Sequence, residues 1–181
     1  MGKARVIWIT GLSGAGKSTL ARELAEGLRA RGDPVILLDG DELREVFGAA
    51  AENARNHGRE GRLALAMQYA HLCRVISRQG LTVVIATISL FHEVHAWNRS
   101  ELPGYTEVYL KVPLDELCRR DPKGIYRRFH AREISHVAGL DLPVDEPQAP
   151  DWIEEFHPER TPEMVAAALL DHLYKETQHE N

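Results

Sequence analysis

Cysteine is scarce in this chain: two in 181 residues, Cys73 and Cys118, without metal-type spacing. That scarcity argues against a disulfide scaffold. It points to reduced thiols in a cytoplasmic protein, both acting as small apolar packing groups. Long apolar runs are also missing. No stretch approaches membrane-spanning length, and the N-terminus reads as a strand rather than a signal peptide, so no membrane partner is expected. Positive charge is in deficit, with 22 Lys and Arg against 27 Asp and Glu and a formal net charge of −5. A broad basic surface for nucleic acid is therefore not expected. What remains is ample for a core. Hydrophobic residues make up 44% of the chain, which excludes a disordered protein. No internal repeat or long linker divides it, and residues 1–181 read as one domain.

Short apolar runs alternate with helical periodicity, the pattern of an α/β, doubly wound parallel sheet. Strands are expected at Arg5–Thr10, Pro34–Leu38, Thr82–Ser89 and Thr106–Val112. Leu20, Ala21, Leu24, Ala25 and Leu28 mark one amphipathic helix, which Arg31-Gly32 stops. Leu63, Met67, Ala70 and Cys73 mark a second, and Val165, Leu169 and Leu173 a third after Thr161-Pro162-Glu163.

Between the first strand and the first helix lies Gly11-Leu12-Ser13-Gly14-Ala15-Gly16-Lys17-Ser18, followed by Thr19. This is the spacing of a phosphate-binding P-loop. Glycines let consecutive backbone N–H groups turn toward phosphate oxygens, and the helix N-terminus adds its positive dipole end. Lys17 is expected to meet the β- and γ-phosphates of ATP, and Ser18 to ligate Mg²⁺. Further absences narrow the class. No N-K-x-D segment is present to read guanine, and the strand ending at Ser89 carries no carboxylate of the Walker-B kind. The acids instead close the second strand, at Asp39 and Asp41. A carboxylate there can orient an acceptor hydroxyl, hold Mg²⁺ through water, or do both. From Arg119 to Glu133 six Lys or Arg face two acids, a local +4 interrupted by Asp121-Pro122-Lys123-Gly124. We read residues 119–141 as a cationic lid. His92 and His95 read as a half-exposed helix face rather than metal ligands, and Trp97 as packing.

"GLSGAGKST", "LLDGDELR", "RDPKGIYRR" and "AGLDLPVDEP" together resemble the adenylylsulfate (APS) kinases from about Arg5 to Pro150. That resemblance implies a P-loop kinase using ATP and Mg²⁺ to phosphorylate a ribose 3′-hydroxyl. It places Gly11, Ser13, Gly14, Ala15, Gly16, Lys17, Ser18, Thr19, Arg120 and Lys123 on ATP, and Ser18 on the metal. It gives Lys17, Asp39 and Asp41 catalytic roles. Asp41, Arg44, Ile88, Ser89, Leu90 and Val137 fall on the acceptor side, with Arg59 or Arg62 as a second arginine there. Departures cluster on that side. The family's asparagine falls on Leu65, its I-S-P becomes Ile88-Ser89-Leu90, and one adenine-stacking aromatic falls on Val137. The other has no counterpart between Gly48 and Gly61. "TISLFHEVHAWNR" and "HVAGLD" resemble the capsule-associated sub-branch typified by cytidine diphosphoramidate kinase. The resemblance therefore implies a small modified nucleotide as acceptor, of the cytidine diphosphoramidate kind. Adenylylsulfate is the alternative, and a catalytically inactive nucleotide-binding regulator the alternative of another class. Oligomeric state is left open, with a homodimer as one option.

Overall fold

A computed structural model describes residues 4–48 and 58–179. Five strands form one all-parallel sheet in the order β2-β3-β1-β4-β5: β1 (Val6–Thr10), β2 (Val35–Asp39), β3 (Thr82–Ala86), β4 (Tyr105–Lys111) and β5 (Trp152–Glu155). β1 is central and wholly buried. Its side chains alternate between two cores, as a pleated strand covered on both faces requires. Ile7 and Ile9 enter one with α1 (Lys17–Ala30) and α7 (Pro162–His179). Val6 and Trp8 enter the other with α3 (Arg59–Ser77) and α4 (His92–Glu101). Three short helices, α2 (Gly40–Gly48), α5 (Leu114–Arg120) and α6 (Ile125–His130), follow strand ends or build the lid segment.

The expected stripe on α1 is buried residue for residue: Leu20, Ala21, Leu24, Ala25 and Leu28. α7 lies close against it. A Cβ on Gly27 would stand 2.3 Å from Leu170 Cδ1, so this helical glycine exists to admit a neighbour. Arg5 beside β1 donates to Leu173 O of α7 at 3.2 Å and lies 5.4 Å from the Tyr174 ring centre. The first strand and the last helix are thereby joined.

Two expectations need correction, and one strand was not foreseen. The third strand stops at Ala86 rather than Ser89, because the backbone leaves the extended region, with Ser89 at φ 26°. Hydroxyls stabilise the departure, Thr87 Oγ1 lying 2.8 Å from Ser89 Oγ. His95 is buried, not half-exposed, because α4 lies flat on the sheet and His95 shares its inner face with Val94 and Asn98. β5 escapes the sequence pattern. It is four residues of alternating burial at a sheet edge, too short and too polar to stand out. Cys73 is buried as a packing group, and Cys118 is partly covered. Among the described residues no helix is long and apolar enough to cross a membrane.

Candidate active site

The P-loop joins β1 to α1, with Gly16 as N-cap at φ 96°. Gly11 has no room for a side chain: a Cβ there would lie 2.7 Å from Leu110 O of β4. Backbone thus fills the space between two central strands, and the loop sits at the end of the sheet that follows β1, where such loops bind phosphate in parallel α/β folds. Lys17 Nζ donates to Leu12 O at 2.8 Å and is held inside the loop's arc. Burial, then the nearby Lys123 charge, pull its pKa down to about 8, against the opposing pull of Asp41 and Asp39.

Asp39 ends β2 and Asp41 opens α2, and the geometry separates their tasks. Asp39 Oδ2 accepts from Ser18 Oγ on α1, while Oδ1 accepts from Asp41 N at 2.8 Å. Asp39 is therefore tied to the P-loop helix through Ser18. Asp41 turns the other way and is ion-paired with Lys123 of the lid segment. Burial pushes the Asp41 carboxyl up, but hydrogen bonding to Lys123, reinforced by the charges of Lys123, Arg44 and Lys17, leaves it below the usual carboxylate range. Ser18 Oγ and the Asp39 carboxylate are hard oxygen donors held together, a donor set that suits Mg²⁺. Among the described residues no group of three or more His, Cys, Asp or Glu could hold a metal by itself.

The cationic segment folds over the P-loop. Asp121 accepts from Tyr126 N at 3.1 Å and Arg127 N at 2.9 Å, which starts α6 after the Pro122–Gly124 turn. Tyr126 Oη donates to Ser13 O at 2.8 Å, tying lid to loop. Arg120 is ion-paired with Glu116 at 2.6 Å, and its guanidinium lies 4.7 Å from the Phe156 ring centre. Together they border an open cleft of about 160 Å³ beside Ala15 and Gly16, lined also by His157 and Arg160. The sequence reading missed Phe156, His157 and Arg160. Their one signal was position, between the last apolar turn and the Thr161-Pro162-Glu163 helix start.

Among the residues expected on the acceptor side, Arg44 lies beside the Tyr69 hydroxyl, whose pKa burial raises. Arg62, lowered in pKa by burial and by Arg44, donates to His136 O at 2.5 Å. These two arginines are neighbours. Arg59 stands elsewhere: it forms a two-pronged pair with Glu93, both contacts 3.0 Å, and a 2.8 Å contact with Asp145. Ile88, Ser89 and Leu90 form the turn after β3. Val137 is buried in the α1 core with its N–H donated to Asp141 Oδ1 at 2.6 Å, and Leu65 packs on the α3 core. The missing aromatic between Gly48 and Gly61 falls largely outside the described residues.

The model of the adenylylsulphate kinase family matches residues 3–154. Cytidine diphosphoramidate kinase of Campylobacter jejuni is 40% identical over 144 residues, covering 80% of this chain and 82% of that protein. Adenylyl-sulfate kinase of Deinococcus deserti is 39% identical over 151 residues, covering 83% and 81%. The Mycobacterium tuberculosis APS kinase, solved in complex with AMPPNP and APS, superposes with a TM-score of 0.85 at 30% identity over 97% of this chain and 99% of that one. The chain belongs to the adenylylsulphate kinase family, whose members are ATP-dependent phosphotransferases acting on hydroxyl groups.

Proposed function

We propose that this chain transfers the γ-phosphoryl group of ATP to a ribose hydroxyl, at the 3′ position, of a small modified nucleotide resembling cytidine diphosphoramidate. The observation that carries the acceptor assignment is Val137. Where the family places a ring, the chain has a valine buried in the core, so no stacking face is offered to an adenine from that position. Base–aromatic stacking contributes about 1–3 kcal/mol per ring, and a smaller pyrimidine depends less on a two-sided sandwich. Arg44 and Arg62 remain for the anionic end of the acceptor, as paired arginines suit phosphate-type oxygens. Arg59, engaged by Glu93 and Asp145, is assigned to structure. The likeness to the Campylobacter jejuni enzyme supports this reading.

In the mechanism the P-loop amides and Lys17 cradle the β- and γ-phosphates, with Arg120 and Phe156 flanking the cleft for the ATP base. Ser18 and Asp39 would hold Mg²⁺, which supplies charge neutralisation on the phosphate oxygens. Asp41 receives the hydrogen bond of the acceptor hydroxyl and aims its oxygen at the γ-phosphorus. The new O–P bond forms as the bond from the γ-phosphorus to the bridging oxygen breaks. ADP leaves, and the hydroxyl proton passes to Asp41 and on to water. Lys123, paired with Asp41 in the free protein, is placed to move onto the transferring group as charge accumulates there. The lid excludes water and limits hydrolysis of ATP.

The strength of the APS kinase likeness keeps adenylylsulfate as the second reading. Steady-state assays with both acceptors distinguish them. We expect the higher kcat/KM for cytidine diphosphoramidate; a higher value for adenylylsulfate overturns the assignment.

A further inference from the structure

Behind the acceptor-side turn lies a polar cluster that the phosphate chemistry does not use. His95 of α4 is 7% exposed and Glu107 of β4 is 3% exposed. His95 Nε2 lies 3.1 Å from Ser89 O, and His95 Nδ1 lies 3.5 Å from Glu107 Oε1, buried and otherwise without a hydrogen-bond partner. The carbonyl of Ser89 can only accept, so Nε2 carries the proton. In a neutral imidazole Nδ1 is then a bare lone pair, pointed at a carboxyl oxygen in a site with little water. Two acceptors facing each other there repel, unless a proton lies between them.

We propose that Glu107 is protonated and donates to His95 Nδ1, while His95 Nε2–H holds the Ser89 carbonyl, making His95 a positioning residue for the acceptor side of the site. The proposal rests on the reading of residues 87–90 as lining that side. Burial raises the Glu107 carboxyl above its usual range and lowers His95 to about 4, both in the sense of an uncharged pair. Other groups around the ring are His92 and Arg99 on α4 and Asp145 from the loop beyond Leu142. Arg99 approaches Glu107 Oε2 only to 3.7 Å and is engaged by Asp151 at 2.8 Å. Tyr105 Oη donates to Glu107 Oε1 at 3.1 Å and itself accepts from Asn98 Nδ2 at 3.4 Å. On the α3 side of α4 the contact is aromatic, His71 against Trp97.

Ser89 needs holding. Its φ is 26°, and its carbonyl accepts from His95 Nε2–H and from Phe91 N, each at 3.1 Å. Thr10 of β1 donates to Ile88 O, and Asp145 N to Leu90 O at 3.0 Å. The same turn abuts the catalytic carboxylates: a Cβ on Gly40 would lie 3.0 Å from Ala86 O and 3.2 Å from Thr87 Cβ. A turn that shifts therefore presses on Gly40, the residue that leads into Asp41 and the acceptor side.

Three variants and one spectrum test this. His95→Ala should raise the acceptor KM about tenfold while the ATP KM stays within twofold. His95→Gln, whose amide can donate from the Nε2 position, should recover most of that loss. Glu107→Gln should leave the acceptor KM within twofold, because an amide N–H replaces the carboxyl proton. Adenylylsulfate and cytidine diphosphoramidate serve in parallel as acceptors. In the free enzyme, ring-¹⁵N-labelled histidine should show His95 as the neutral Nε2–H tautomer, without titration between pH 5.5 and 8.5. An imidazolium or an Nδ1–H tautomer in that range overturns the proposal. So does a folded Glu107→Gln variant as impaired as His95→Ala, or a parallel rise of both KM values. The spectrum needs no acceptor, so it stands even if the acceptor assignment fails.

Discussion

Lys17 combines two opposed demands. Its charge is wanted where phosphoryl transfer accumulates negative charge, yet burial without ligand disfavours it and brings the pKa to about 8. Between about 8 and the usual 10.5, the folded free protein has lost a proton that the unfolded chain keeps. Stability therefore rises with pH across that window, and the cost is fully present below it. Lys17→Met is expected to lower kcat at least 100-fold. It should also raise the Tm of the free protein at pH 7, by about 2–4 °C for each kcal/mol relieved, with the gap to wild type closing toward pH 10. Calorimetry across pH checks the second effect independently of turnover. The two aspartates should part company. Asp41→Asn is expected to lower kcat about 100-fold with the ATP KM nearly unchanged, while Asp39→Asn should raise the Mg²⁺ concentration needed for half-maximal rate. Titrating Mg²⁺ against both variants tests this. The sequence set both carboxylates side by side but could not tell their surroundings apart, because these are set by hydrogen bonds to Ser18 and Lys123, residues 21 and 82 positions away.

At the scale of elements, α1 carries the P-loop lysine at one end and depends on α7 along its flank. Ala is normally a better helix former than Gly by about 1 kcal/mol, so Gly27→Ala would stabilise an isolated α1. Here the added methyl meets Leu170, and we expect the substitution to destabilise the protein instead. Pairing it with Leu170→Ala should restore part of the loss, an interaction that a double-mutant cycle measures directly. The lid segment meets the P-loop through the Tyr126 hydroxyl, one of several attachments. Tyr126→Phe removes the bond to Ser13 O and is expected to raise ATP hydrolysis without acceptor relative to transfer, seen as ADP formed per phosphorylated product. Periodicity made α1, α3 and α7 legible because each has a continuous apolar stripe. It could not show α5 and α6 as two helices, since their break is built from Asp121 side-chain bonds to backbone amides. β5 was invisible for another reason: at an edge, with one half-buried face, four residues carry little pattern.

On the scale of the whole molecule, the parallel order β2-β3-β1-β4-β5 delivers the P-loop, the Asp39–Asp41 corner and the Thr87–Leu90 turn to one end of the sheet. Ligand bound there ties several strand ends at once. ATP with Mg²⁺ should raise the Tm in a concentration-dependent way, by RT ln(1 + [L]/Kd), and Lys17→Met should blunt the rise. Alternating strands and helices made this sheet class readable from sequence. The ion pairs of Arg59 with Glu93 and Asp145 were not, since they join residues 34 and 86 positions apart. The bond from Arg5 to Leu173 spans 168 positions, and its consequence belongs to synthesis. α7 leaves the ribosome after every other described element, yet it covers the apolar flank of α1, which leaves among the first. Until α7 follows, the flank of α1 that meets α7 lacks that partner. The core between α1 and the sheet therefore cannot close before the last described helix has been made, so docking of α7 is expected as a late step of folding.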